Sequence, residues 1–177
     1  MLRSLFISAV IAGISVVGAY AQPNLQPKVN SADRMFLRHA AEINLSEIDL
    51  AQLAQQNATS DQVKQFAQRM ITDHTNNLQT LKDLAARKDV VLPDQLSAKN
   101  TALYARLGKL SGTDFDHAYI NAMIQGHTQA VALFKNESTA AANADVRSYA
   151  SQTLPMVEAH LKLAHETAVQ IGATSHR

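Results

Sequence analysis

The chain has 177 residues, with 16 Lys and Arg against 15 Asp and Glu, no cysteine and no tryptophan. A formal net charge of +1, basic residues scattered singly and few aromatics exclude a phosphate-tracking stripe and a base-stacking platform, so nucleic acid is not an expected partner. The lack of cysteine excludes disulfides and thiolate metal sites.

Arg3 precedes an apolar run from Leu5 to Val17 that ends at Ala19-Tyr20-Ala21. This is the pattern of a secretory signal peptide over residues 1–21 with a small-x-small cleavage site, and it predicts a periplasmic or otherwise exported protein that begins at Gln22. The run is shorter than the roughly 20 residues a bilayer span needs, and no later stretch approaches that length, so no transmembrane span is expected in the mature chain. Residues 22–30, with Pro23 and Pro27 blocking helix, read as an extended tether.

A helical domain is predicted over residues 31–172, followed by a disordered tail, 173–177. Ser31 or Asp33 is positioned to N-cap a first helix whose apolar stripe is Phe36, Ala40, Ile43, Leu50 and Ala54, running to about Gln56. Asn57-Ala58-Thr59-Ser60 breaks it. Ser60 or Asp61 caps a second helix with Val63, Phe66, Ala67, Met70, His74, Leu78, Leu81 and Leu84 or Ala85 on one side, ending near Arg87-Lys88. Periodicity weakens between Asp89 and Gly112, where Pro93 sets off a connector holding a short helical segment, Ser97 to Leu110. A third main helix opens at Ser111-Gly112-Thr113 and carries Phe115, Tyr119 or Ile120, Met123, His127, Ala130 or Val131, and Phe134 before running out at Ser138. Asn143 or Asp145 caps a fourth, with Val146, Tyr149, Ala150, Thr153, Val157, His160, Ala164, Ala168 and Ile171, stopped by Gly172. Pro155 inside it predicts a kink before Met156.

Both even-numbered helices begin alike, Val63-Lys64-Gln65-Phe66-Ala67 and Val146-Arg147-Ser148-Tyr149-Ala150, which points to two related hairpins. A connector as long as 89–112 can travel the length of a bundle, so the fold class implied is all-α, a four-helix bundle of ferritin-like topology with a long crossover containing a short helix.

Every methionine after the initiator sits four residues before a histidine: Met35/His39, Met70/His74, Met123/His127 and Met156/His160. Residues four apart share a helix face, so each pair presents a thioether and an imidazole together, both ligands suited to soft and borderline metals. Helical phase separates the pairs. His74 and His127 lie on their stripes and His160 lies on or beside its own, whereas His39 falls toward the flank of the first helix. What the first helix carries mid-stripe is Glu47, between Ile43, Leu50 and Ala54. A carboxylate there must be paired, protonated or metal-bound, because burying it bare costs several kcal/mol.

The expected metal set is therefore Glu47, His74, His127 and His160, one per helix. Met70, Met123, Met156 and Asp73 are secondary candidates, the methionines more often core fillers and Asp73 a neighbour of the ligands. His117, His165 and His176 are expected at the surface. Depth is the weak joint: His127 lies 11 residues before Ser138 and His160 lies 17 after Asn143, a mismatch of roughly 9 Å at 1.5 Å per residue.

The runs Phe66-Ala67-Gln68-Arg69-Met70 leading to Asp73-His74, Phe115-Asp116-His117-Ala118-Tyr119 leading to His127, and Thr153-Leu154-Pro155 leading to His160 resemble the bacterial domain-of-unknown-function family 4142 over about residues 32–170. The resemblance implies an exported, ferritin-like helical protein without established activity. It favours the positions of Glu47, His74, His127 and His160, and makes Met35/His39 and Met156 local additions.

Two functional expectations follow. In one, the four residues hold a single Cu, Zn or Fe ion in the bundle core. In the other, the protein is a non-enzymatic cell-envelope structural or interaction protein, and Glu47 accepts hydrogen bonds from His74 and His127 in a purely structural network. The di-iron pattern of a Glu on two helices and Glu-x-x-His on the other two is not met by Asp73-His74 or Glu158-Ala159-His160, so ferroxidase chemistry is not expected. No Ser/His/Asp set, phosphate loop or paired catalytic carboxylates can be assembled, and an enzyme is the less expected reading.

Overall fold

Local capping decides where the helices of this chain start. In the computed structural model, which describes residues 29–173, α1 spans Ser31–Asn57, α2 Asp61–Arg87, α3 Ala98–Leu107, α4 Gly112–Ala140 and α5 Ala144–Gln170, with no strand among the described residues. The stretch read as a signal peptide, most of the tether and residues 174–177 lie outside the described residues. Ser60, Ser97 and Asn143 cap α2, α3 and α5 with their side-chain oxygens, as expected of these residue types. At α1 the cap is neither Ser31 nor Asp33 but Asn30, whose Oδ1 accepts from Asp33 N at 2.7 Å. Asn30 and the buried Val29 thus belong to the folded unit and not to the tether.

Asp33 is released from capping for a longer-range task. Its carboxylate accepts from the backbone N–H groups of Ala142 and Asn143 at 3.0 and 2.9 Å, tying the start of α1 to the α4–α5 loop. Asp116 near the start of α4 does the same for the α1–α2 loop, accepting from Thr59 N (3.2 Å), Thr59 Oγ1 (2.8 Å) and Ser60 N (2.9 Å). These two clamps fix the topology. Each hairpin begins where the other turns, so α1 and α4 run antiparallel, and the segment holding α3 must travel the length of the bundle between α2 and α4.

Asp33 and Asp116 are 83 positions apart, and so are Phe36 and Tyr119, the caps Ser60 and Asn143, Val63 and Val146, Phe66 and Tyr149, and Ala67 and Ala150. The two hairpins are copies of one unit in register.

Apolar residues form two separate clusters. One, toward the α4–α5 loop, holds Phe36, Leu37, Leu81, Leu84, Phe134 and Tyr149; the other, toward the α1–α2 loop, holds Leu50, Phe66, Met70, Phe115, Tyr119 and Met123. Between them the buried residues are polar: Asn44, Glu47, His74, His127, Thr153 and His160. The ring stacks sit inside the apolar halves, with Phe36 edge-on to Phe134 at 5.3 Å and Phe115 parallel to Tyr119 at 5.8 Å. Among the described residues no helix is long and apolar enough to cross a membrane.

Asp116→Ala leaves two loop N–H groups and a hydroxyl without their acceptor. It is expected to lower unfolding stability by about 2–4 kcal/mol, read as a reduced urea midpoint, with helix content retained below the transition.

Candidate metal centre

Depth, the weak joint of the sequence argument, is resolved by the length of α4. The helix continues two residues past Ser138, because Ser138 and Thr139 turn their hydroxyls back onto the carbonyls of Lys135 and Asn136 and do not break the turn. His127 then lies 13 residues before the end of α4 and His160 lies 16 after the start of α5, a residual offset of about 4.5 Å. α5 runs on as one helix past Pro155, whose ring is exposed.

His74, His127 and His160 meet in the bundle core. Their ring centroids are 5.2–5.7 Å apart and each residue is 1 % exposed. One ligand atom from each lies within 4.8 Å of the other two.

The other nitrogen of each ring is held from behind. His74 Nδ1 lies 2.9 Å from Asn44 Oδ1, His127 Nδ1 is 3.0 Å from the Met123 carbonyl, and His160 Nε2 is 2.9 Å from Asp73 Oδ2. All three partners are acceptors. A carbonyl and a carboxylate have nothing to donate, and Asn44 is oriented by its own amide, which donates to Ala40 O and Asn77 Oδ1 at 2.8 and 2.9 Å. Each outer nitrogen therefore carries the proton, and the inner ones, His74 Nε2, His127 Nε2 and His160 Nδ1, present bare lone pairs. These three inner atoms are buried and without a hydrogen-bond partner. Neutral imidazoles in these tautomers cannot hydrogen-bond one another, so each orphaned acceptor costs on the order of 1–3 kcal/mol.

Glu47 is buried at the same level but does not converge with the triad. Its Oε1 stands 3.9 Å from His127 Nδ1, beyond hydrogen-bond reach and on the side of the ring facing away from the other two histidines, and its Oε2 has no partner. The expected network, with Glu47 accepting from His74 and His127, is not formed, because Asn44 and the Met123 carbonyl have taken those protons. Gly126 on α4 faces the carboxylate, and a Cβ there would lie 3.4 Å from Glu47 Oε1, at van der Waals contact.

Asp73 backs the site from α2, bonded to both His160 and Arg69. Met70 and Met123 are buried in the apolar cluster toward the α1–α2 loop, while Met156 is half-buried against the opposite one. His39 and His165 are exposed, and His176 falls outside the described residues. His117, expected at the surface, is half-buried and donates to the Ile171 carbonyl at 3.0 Å.

Sequence reasoning missed Asn44 and Asn77. Asn77 accepts from Asn44 and from the Tyr149 hydroxyl (2.7 Å) and donates to Thr153 Oγ1 (2.9 Å), so a closed amide network adjoins the open imidazole set. The available signal was an amide on the buried stripe of each helix, at Asn44 four after Ala40 and at Asn77 three after His74.

Burial sets the protonation of the centre. It pushes the Glu47 carboxyl up, with the nearby His127 opposing. His74 is held well below the ordinary imidazole value by burial and by the neighbouring His127 and His160. His160 is lowered to about 4, again chiefly by burial, against the hydrogen bond to Asp73. At Asp73 burial pulls upward, but the hydrogen bonds from Arg69 and His160 outweigh it and keep the carboxyl low.

The family described as Domain of unknown function (DUF4142) matches residues 19–167. The chain belongs to this family. No curated protein matches it. The crystal structure of a DUF305 fragment from Deinococcus radiodurans is similar, with a TM-score of 0.71 and 16 % identity, covering 84 % of this chain and 100 % of that one. A DUF305 protein from Streptomyces coelicolor gives a TM-score of 0.68 and 16 % identity over 83 % of this chain and 98 % of that one. At such identity the likeness shows the fold alone.

For this DUF4142 protein without metal, the depressed histidines give a signed prediction. An unfolded imidazole titrates near 6.5, so between about pH 6.5 and 4 the unfolded chain binds more protons than the folded one. The contribution of His74 and His160 is complete above pH 6.5 and is lost as pH falls, at up to about 1.4 kcal/mol per pH unit for each. Glu47, shifted upward, acts in the opposite direction at the acidic edge. Urea unfolding from pH 7.5 to 4.5 should show the decline, and His160→Gln should make it shallower.

Proposed function

We propose that the protein is exported and holds one first-row transition-metal ion, Cu²⁺, Zn²⁺ or Fe²⁺, on His74 Nε2, His127 Nε2 and His160 Nδ1. The observation that carries this reading is the set of three inward lone pairs, each fixed by an acceptor behind its ring, which is the arrangement that orients metal-binding imidazoles. A cation supplies what no protein group supplies there. A tetrahedral ion with bonds of about 2.0–2.1 Å would require its ligand nitrogens about 3.4 Å apart, so the three rings, with one nitrogen of each within 4.8 Å of the others, would hold it after a small inward adjustment.

Asp73, hydrogen-bonded to His160 behind its ring, offsets part of the ion's charge. The enclosure of the triad favours retention of an ion over turnover of a substrate. Export is supported by the pattern of Arg3, the Leu5–Val17 run and Ala19-Tyr20-Ala21. An N-terminus at Gln22 on protein recovered from outside the cytoplasm tests it, and retention in the cytoplasm counts against it.

Titration of the purified protein is expected to give one equivalent of bound metal, tightest for Cu²⁺ among divalent first-row ions. Saturation at 100 times Kd should add about 2.7 kcal/mol of stability, visible as a raised Tm. Alanine at His74, His127 or His160 is expected to weaken binding at least 100-fold. Asp73→Asn, which keeps shape but loses the charge behind His160, should weaken it about 10- to 100-fold. Absence of stoichiometric binding, or binding indifferent to all three histidine substitutions, rejects the reading.

A further inference from the structure

A triad whose members are each 1 % exposed can be loaded only if an ion crosses the bundle wall. The two hairpins meet along two seams, α1 against α4 and α2 against α5, and each seam carries a depression. They differ in the carboxylate at the inner end. The α2–α5 depression leads to Asp73, whose carboxylate is already engaged by the exposed guanidinium of Arg69 and by His160.

The α1–α4 seam, roofed by α3, holds a cavity of about 210 Å³. His39, Glu42, Ser46 and Glu47 line its α1 wall at positions i, i+3, i+7 and i+8, beside the apolar Ile43 and Leu50, and run from the exposed His39 inward. Gln125 and Gly126 of α4 stand opposite. At the inner end Glu47 is 7 % exposed, its Oε2 is buried without a partner, and its Oε1 is 3.9 Å from His127. Glu47 and Met123, whose carbonyl accepts from His127, are thus common to the cavity wall and the triad's border, and of the two only Glu47 brings an unpartnered oxygen. Lys99 and Arg106 of α3 also line the cavity; both are exposed, as Arg69 is at the other seam, so it is the unpartnered Oε2 of Glu47 and not charge that sets this seam apart.

We propose that the α1–α3–α4 cavity is the passage by which a divalent transition-metal cation reaches and leaves the triad, with Glu47 as the last oxygen donor before His127. This rests on the three-histidine reading of the centre. It explains why a carboxylate is kept in the core without a hydrogen-bond partner at Oε2 and outside the ligand set. It also gives His39, the histidine that helical phase removes from the core, a place at the mouth.

The test is stopped-flow mixing with Cu²⁺, followed by tyrosine fluorescence and paired with equilibrium titration. Glu47→Gln is expected to slow association and release by the same factor, ten or more, and leave affinity within about threefold. Ala122→Leu, which fills the cavity from α4 without touching a histidine, should act in the same way. The surface pair His39→Ala and Glu42→Ala should slow association about two- to fivefold, more at low salt. Removal of Lys99 and Arg106 should speed it. Unchanged rates in both Glu47→Gln and Ala122→Leu overturn the proposal, as does an Arg69→Ala variant that loads tenfold faster, which places the passage at the α2–α5 seam. Loss of affinity in Glu47→Gln without a matched loss of association rate makes Glu47 a ligand and also overturns it. Failure of Cu²⁺ to bind the unmodified protein removes the centre itself, and the passage with it.

Discussion

Three imidazoles and a carboxylate have been taken out of water at mid-height in a bundle whose two ends are packed with Phe, Leu, Tyr and Met. Everything near them is arranged around the cost of doing so. Burial holds His74 and His160 below the ordinary imidazole value, and each of the three rings has one nitrogen satisfied from behind by a partner that accepts only, or is oriented to accept. That choice fixes the tautomers and turns the remaining nitrogens toward one another. A core meant only to be stable would fill this layer with Leu and Val, because hydrophobic replacement of buried polar groups is commonly neutral or favourable. The layer is unsaturated as it stands, with three imidazole nitrogens and a carboxylate oxygen buried without partners.

The internal repeat shows how such a layer arises from an ordinary one. With an offset of 83, Asn44 corresponds to His127 and Asn77 to His160. The same two places in the bundle therefore carry amides in the first hairpin and imidazoles in the second. An amide both donates and accepts, so Asn44 and Asn77 close a network with Tyr149 and Thr153. A neutral imidazole has one donor and one acceptor, and once the donor is engaged outward the acceptor is left facing in. His74, which corresponds to Val157, is the addition outside the repeat that brings the count of inward nitrogens to three.

Much of this was legible along the chain. The stripes on α2, α4 and α5 name the buried residues almost one for one, because the 3.6-residue period must place them on one face, whereas α1 buries a wider face that also takes in Leu37, Ala41, Asn44, Ala51 and Leu53. Glu47, His74, His127 and His160 stand out because each is polar where the stripe demands an apolar side chain. The capping of α1 was less legible: Asn30, Ser31 and Asp33 are all competent caps, and which one serves depends on the α4–α5 loop, 109 and 110 residues away, that claims Asp33. The end of α4 was misplaced for a related reason, since Ser138 and Thr139 break a helix in one setting and bond back to it in another.

The sequence by itself determined the helices, most of their buried faces and the buried placing of Glu47, His74, His127 and His160, since those follow from local propensity and periodicity. Which of the four converge was decided only by tertiary structure. Side-chain direction at a given depth depends on the path of the neighbouring helix and on which acceptor reaches each ring first. Asn44, the Met123 carbonyl and Asp73 turn three histidines inward, while Glu47 stands beside His127 at the wall of a cavity.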